Sequence, residues 1–270
     1  NPYWIQNRIQ SMDARIRLLL SLSANLKVTD WLTLQARGNL DHSADKLRQK
    51  FYASTATALC GMNGRYIEMD YQETQMYGDV MAMVKKQLND FTLDVAIGGS
   101  INDRITNSTR IDSKNASLKY ANVFNLANIV MSSSASIDQK IDAHYQLQSV
   151  FATAQIGYKE GVFLDLTARN DWSSTLAYTK YEKKGFFYPS VGVSFLPDKW
   201  VKMPEWVSFS KLRGAYSIVG NGVPPFITYP VSYVTAGGEI LASDAAPFAE
   251  MKPEMTHSVE LGMEWKFLQH

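Results

Sequence analysis

SVFATAQIGYKEGVFLDLTARNDWSST, from Ser149 to Thr175, holds two alternations on either side of a short turn. Before Lys159-Glu160-Gly161, the residues Val150, Ala152, Ala154, Ile156 and Tyr158 fall on every second position. After it, Val162, Leu164, Leu166 and Ala168 do the same. A strand sends successive side chains to opposite faces, so each run presents one apolar face. The other faces carry Thr153, Gln155 and Gly157, then Asp165, Thr167, Arg169 and Asp171, a poor choice for a second dry layer. A short Gly-containing turn between two such runs predicts an antiparallel hairpin. Each limb has about ten residues, the length of a tilted strand crossing an outer membrane.

The rest of the chain repeats the unit. Ala14, Ile16, Leu18, Leu20, Leu22, Ala24 and Leu26 alternate with Arg15, Arg17, Ser21, Ser23 and Asn25. After a turn at Val28-Thr29-Asp30, Leu32, Leu34, Ala36, Gly38 and Leu40 alternate with Thr33, Gln35, Arg37, Asn39 and Asp41. Met76 to Leu88 also suits a short helix, but the Asn89-Asp90 turn and the alternation of Phe91, Leu93, Val95 and Ile97 favour a third hairpin. Further strands follow at 189–195, 212–218 and 257–267. The reading is about nine strands whose connections alternate between short (28–31, 88–90, 159–161, 197–207) and long (46–73, 102–144, 173–186, 220–255). Outer-membrane barrels have short periplasmic turns and long extracellular loops. A soluble sandwich accounts for the alternation equally well, but not for the sorting of loops or the strand length.

Composition narrows the classes. Lys+Arg 27 against Asp+Glu 26 gives no reason to expect nucleic acid. Cys60 is the single cysteine and reads as a buried thiol in a loop. No apolar run reaches the length of a membrane helix, which excludes a helical membrane protein but not a barrel. Asn1-Pro2-Tyr3-Trp4 carries no export signal, so an exported protein would enter here as mature sequence or as an internal segment.

Four linked stretches resemble one family: ARNDWSSTL (168–176), FFYPSVGVSFLPDKW (186–200), SKLRGAYSIVGN (210–221) and KPEMTHSVELGMEW (252–265). They look like the C-terminal half of the barrel of SusC/RagA-type TonB-linked outer-membrane proteins of Bacteroides-like bacteria. NPYWIQN (1–7) and TDWLTLQARGNLD (29–41) resemble earlier barrel segments of the same family. The resemblance implies an all-β, antiparallel transmembrane β-barrel segment, residues 1–270 supplying nine strands of a barrel of about 22. It also implies a plug and an N-terminal domain that this chain lacks, a SusD-like surface lipoprotein as partner, and TonB as energy source through regions outside this stretch. The expected activity is active import of oligosaccharides, or in some members peptides, across the outer membrane, without catalysis or cofactor. The alternatives are a soluble secreted β-domain that binds glycans, and a passive porin or adhesin barrel.

Candidate binding residues are the loop aromatics Trp172, Tyr178 and Tyr181, then Phe226, Tyr229 and Tyr233, whose rings can stack on sugars or peptide side chains. Asp165, Arg169 and Asp171, on one strand face, are the lumen candidates; against them stands a lumen salt-bridge network, as for Arg37, Asp41, Arg213, Glu260 and Glu264. Glu260 and Glu264 lie about 13 Å apart along a strand, too far for paired glycosidase carboxylates. His42, His144, His257 and His270 lack ligand spacing, and no nucleophile motif is present, so no metal site or catalytic residue is expected. Trp31, Trp200 and Trp206 lie beside short turns and mark the periplasmic interface; Trp265 belongs to a lipid-facing strand.

Overall fold

Strands with one apolar face pair with the strands next to them along the chain, and here eight such pairings join nine strands. The computed structural model describes residues 2–56, 58–114, 118–130, 136–234 and 238–268. Its main strands are β1 (Ile9–Lys27), β2 (Leu32–Phe51), β3 (Arg65–Leu88), β4 (Phe91–Asp112), β5 (Ser136–Tyr158), β6 (Val162–Ser173), β7 (Phe186–Phe195) and β8 (Val207–Asn221). A two-stranded hairpin, β9 (Tyr233–Val234) and β10 (Ile240–Leu241), lies in the last long connection before β11 (Glu254–Phe267). The nine long strands form one antiparallel sheet in the order β1-β2-β3-β4-β5-β6-β7-β8-β11. The stretch 76–88 is strand, as the turn after it required. A seven-residue helix, α1 (Pro2–Arg8), precedes β1 and was not foreseen.

Directly paired residues share a face, so the register joins the apolar sets of all strands into one surface. One transverse row runs Leu26, Leu34, Ala82, Ile97, Ala152, Ala168 and Pro189. Most of this surface is exposed, Leu22 at 78% and Leu261 at 87%, which in water would be a very large apolar patch. On β1 it runs from Ile16 to Leu26, about 33 Å of strand, or a band of about 25 Å at the ~40° tilt of outer-membrane barrels. Its lower edge is aromatic. Phe91, Tyr158 and Trp200 stack in sequence, with ring centroids 4.8 and 5.6 Å apart. Trp206, Phe267 and Trp265 form a second group at 5.6 and 6.3 Å. Trp31 lies under the Lys86 ammonium. All three groups sit at the short-turn end, as a membrane–water girdle requires.

The upper edge shows why two loops are shorter than the sequence suggests. Above the His42–Thr74 hydrogen bond the outward face turns charged, pairing Lys46 with Asp70 and Arg48 with Glu68. Here both faces of the strands are wet, so alternation disappears while backbone pairing continues. β2 therefore runs to Phe51 and β3 starts at Arg65, reducing the expected loop 46–73 to residues 52–64. In the same way β4 continues to Asp112 and β5 begins at Ser136, within the expected excursion 102–144. The wall is tall over β2–β5, with 20 to 24 residues per strand, and low over β6–β7, with 12 and 10.

Candidate functional site

The face opposite the lipid side is the inner wall, and it is built of charge pairs, most of them between neighbouring strands. Arg15 chelates Asp45 with Nη2–Oδ2 at 2.8 Å, and Arg17 holds Asp41 at 2.9 and 2.6 Å. Arg37 lies directly opposite Asp79, whose carboxylate is fully buried beneath it, at 3.0 Å. Arg104 reaches Glu73 at 2.9 Å, and Lys85 reaches Asp94 at 2.9 Å. Arg169 donates to Asp171 at 2.7 Å and to the Ser149 hydroxyl at 2.6 Å. Asp165 accepts from Gln155 at 2.7 Å. Two of the three lumen candidates thus satisfy each other. Asp165 is the one without an ion pair among the described residues.

Most of the buried apolar residues lie at the other end of the strands, in or under the loops. The described residues of 52–64 and 113–130 pack into a knob on top of β3 and β4. Tyr66, Leu118 and Ile129 are buried together, with Ile111 and Phe124 against them, and the Tyr52 and Phe124 rings meet edge-on at 5.0 Å. Three asparagines knit the chain. Asn63 donates to the Leu118 carbonyl at 2.8 Å, and Asn122 accepts from the Ala53 N–H at 2.7 Å. Asn128 accepts from the Tyr120 N–H and donates to the carbonyls of Tyr120 and Val123. Beneath them Asp112, 1% exposed, accepts from Arg65 twice at 2.8 Å, from Arg110 at 3.0 Å and from the Lys114 N–H at 2.8 Å. Trp4 of α1 donates to Thr55 at 2.9 Å, and Arg8 lies over the Trp4 and Tyr52 rings, so α1 braces the same knob. Cys60 is buried within it, and burial pushes its thiol pKa up, as expected of a bland loop thiol.

A second rim unit joins loop 174–185 to loop 222–253. The Lys180 N–H donates to the Ala249 carbonyl at 2.9 Å, and its ammonium pairs with Glu250, which raises the lysine pKa. Tyr178 and Tyr229, from different loops, meet with ring centroids 4.8 Å apart and planes tilted by 40°. Of the predicted aromatics these two come together. Tyr181 lies apart, beside Phe186 and under Lys184. Phe226 is about half exposed, and Tyr233 opens β9, its side chain outside the described set. Trp172 falls elsewhere. β6 continues through it to Ser173, and its pairing with Gln148 sets it on the lipid side, over Val80, Ile101 and Val150. The large concavities of the sheet are on that side too, lined by Ala36, Val80, Ile97, Ala152 and Leu166; in a bilayer, lipid chains fill them. Sequence reasoning missed the knob; its one local signal is the run of asparagines at 122, 125 and 128, of which Asn125 caps a short 3-10 turn.

Among the described residues no cluster of His, Cys, Asp and Glu could hold a metal, and no helix is long and apolar enough to cross a membrane. His270 lies outside the described residues. The profile of the family described as TonB dependent receptor-like, beta-barrel, matches residues 1–269. The chain belongs to that family. This TonB-dependent receptor barrel segment superposes on structures of the RagAB peptide transporter (TM-score 0.80, 17% identity) and of the RagAB peptide importer in its 'closed-closed' state (0.78, 18%). Each match covers 97% of this chain and 29% of the other, so the segment spans less than a third of these two chains. The siderophore receptor PiuA from Acinetobacter baumannii gives 0.58 at 12% identity, over 96% of this chain and 39% of that one. At these identities the likeness is one of fold. A search of curated proteins finds no match.

Proposed function

We propose that the chain is a stretch of barrel wall from an outer-membrane, TonB-dependent importer of oligosaccharide- or peptide-sized nutrients, working with a SusD-like surface lipoprotein. The observation that carries this reading is a single sheet with one continuous lipid face, one charge-paired inner face and packed loops at one end only. Family membership supports it, and so does the common fold with a peptide importer. In this reading residues 1–270 form one part of a single barrel domain, in the outer membrane of a Bacteroides-like bacterium. Tyr178 and Tyr229, together with Tyr181, Phe226 and Tyr233 of the same two loops, meet cargo at the extracellular mouth, and Asp165 meets it inside. Trp172 anchors the sheet in the upper membrane interface. The protein moves its cargo without altering it covalently.

The test is growth and uptake in the source bacterium. Deleting the full-length gene should abolish uptake of at least one oligosaccharide or oligopeptide, and deleting TonB should abolish the same uptake. Uptake that survives loss of TonB but not loss of the gene would make the barrel a passive pore.

A further inference from the structure

The outward face changes character above the apolar band, and it does so unevenly. On β2 the outward positions after Leu40 are His42, Ala44, Lys46, Arg48 and Lys50, so three cations stand on alternate residues of one strand. Ala44 lies opposite Ile16, the top of the band on β1. With about 3.4 Å per residue and a tilt of about 40°, the three cations lie about 5, 10 and 16 Å above that level. This is the headgroup layer of the outer leaflet. The row through His42 continues to Thr74, Ile105 and His144. Among the described residues, no other strand from β1 to β5 presents a lysine or arginine on the outward face above that row.

The carboxylates beside this ladder sit behind it. Glu68 is held by the Tyr66 hydroxyl at 2.7 Å and by Arg48 at 3.1 Å, and its side chain is 17% exposed against 45% for the arginine. Asp70, 3.5 Å from the Lys46 ammonium, is likewise the less exposed of its pair. The cations therefore form the outer layer, and Lys50, over the Phe124 ring, adds a third. Both neighbours of β2 are paired to it along the whole stretch, so the ladder does not lie at a sheet edge. Apolar side chains stand among the charges. Met12, 64% exposed, is directly opposite Arg48, and the exposed Ile137 closes the same row beyond Glu68 and Ile111. Cations mixed with exposed apolar groups, above a lipid face, match an amphiphile better than a soluble anion.

We propose that the outward ladder Lys46, Arg48 and Lys50 binds the phosphate groups of a phosphorylated glycolipid in the outer leaflet, whose acyl chains lie on the apolar face beneath. The inference rests on the outer-membrane placement given above and is independent of the cargo. Arginine and lysine make charge-assisted hydrogen bonds to phosphate oxygens, and the vertical spacing lets one headgroup engage more than one of them. Below the ladder, Leu18, Leu20 and Leu40 continue the outward face and receive the chains. The site fixes one lipid beside β2, where the strands rise highest above the membrane and need lateral support.

The experiment uses the full-length transporter, extracted from the outer membrane with its partner and stripped of bound lipid in detergent. It is titrated with lipopolysaccharide of the source bacterium, intact or dephosphorylated. Three variants are compared with wild type: K46Q/R48Q/K50Q; K46Q/R48Q/K50Q/E68Q/D70N, which leaves no carboxylate uncompensated; and K180Q/K183Q/K184Q, which removes as many charges elsewhere on the rim. The first two should bind intact lipopolysaccharide at least about tenfold more weakly, and the third within about twofold of wild type. Wild type should bind the dephosphorylated form at least about tenfold more weakly than the intact one. Equal affinity for the two forms would overturn the proposal, as would unchanged affinity in K46Q/R48Q/K50Q. Normal affinity in the five-fold variant would also overturn it, because bared carboxylates would then explain the loss. So would loss of the co-purifying partner at unchanged lipid affinity, which makes the ladder a protein interface. A full-length chain that fractionates away from the outer membrane would remove the placement itself, whereas correct placement with unchanged binding removes the lipid site alone.

Discussion

Replacing Asp112 by alanine should open the extracellular knob without unfolding the barrel. The carboxylate is 1% exposed and receives four hydrogen bonds, three from arginines and one from the Lys114 amide. Removing one partner of a buried ion pair costs about 3–5 kcal/mol, because the remaining charge is left without compensation. Arg65 and Arg110 soften that cost, since their side chains are 22% and 43% exposed and can turn to water. A net loss of about 2–3 kcal/mol is reasonable, and it falls on the local opening of the knob. At 1.4 kcal/mol per decade the open population rises roughly 30- to 150-fold.

Hydrogen exchange on the full-length protein in detergent reads this directly. The amides to follow are Ser113, bonded to the Tyr66 carbonyl, and Lys119, bonded to the Asn128 carbonyl, both inside the knob. They should exchange faster by that factor. Amides in the middle of β2 and β3 should not change, because the ladder there does not depend on Asp112. If Ser113 and Lys119 exchange within about threefold of wild type, the carboxylate does not hold the knob. If the strand amides accelerate equally, knob and barrel are one cooperative unit, and the partition drawn between them is wrong.

Two further predictions bear on the faces and on the knob. Leu22→Arg, at mid-height on the lipid face, should destabilise folding into lipid vesicles by about 2–4 kcal/mol, whereas Ser21→Arg, its neighbour on the inner face, should cost little; equal effects in a urea titration would refute the face assignment. Cys60, whose pKa is raised by burial, carries less thiolate than a free cysteine at any pH, so iodoacetamide at pH 8 should leave the folded protein mostly unlabelled and label it fully in urea.

How much of this was legible depends on where water is. Within the membrane, lipid on one side and polar groups on the other force a period of two, and Ser149 to Thr175 or Ala14 to Asp41 read directly as hairpins. Above His42 both faces are wet, and the constraint that writes the pattern disappears. Arg65 to Gln72 and Ile105 to Asp112 are regular strands with no alternation to betray them. Trp172 shows the same effect at the scale of one residue. It has the parity of Val162, Leu164 and Leu166, so its side was readable once β6 was known to reach Ser173. Ending the strand early turned an interfacial anchor into a loop candidate. The buried core of the knob was not legible, because Tyr66, Leu118 and Ile129 come from three separated segments, and no local window contains them together.

The inner wall is subtler still, because the residue types are the same where charges pair and where they do not. Arg37 and Asp79 lie directly opposite, and so do Lys211 and Glu264; both rows read alike as sequence. Their environments differ. Asp79 sits fully covered, where an unpaired carboxylate would be costly, so Arg37 must close over it. Arg213 faces Gly262, which gives its side chain a path across the strand that no other residue type would leave open, and it passes along that path between Glu260 and Glu264 without joining either. A near-zero net charge, 27 against 26, therefore conceals two kinds of wall among the described residues: one whose charges pair within it, and one, at the open edge of the sheet, whose charges do not.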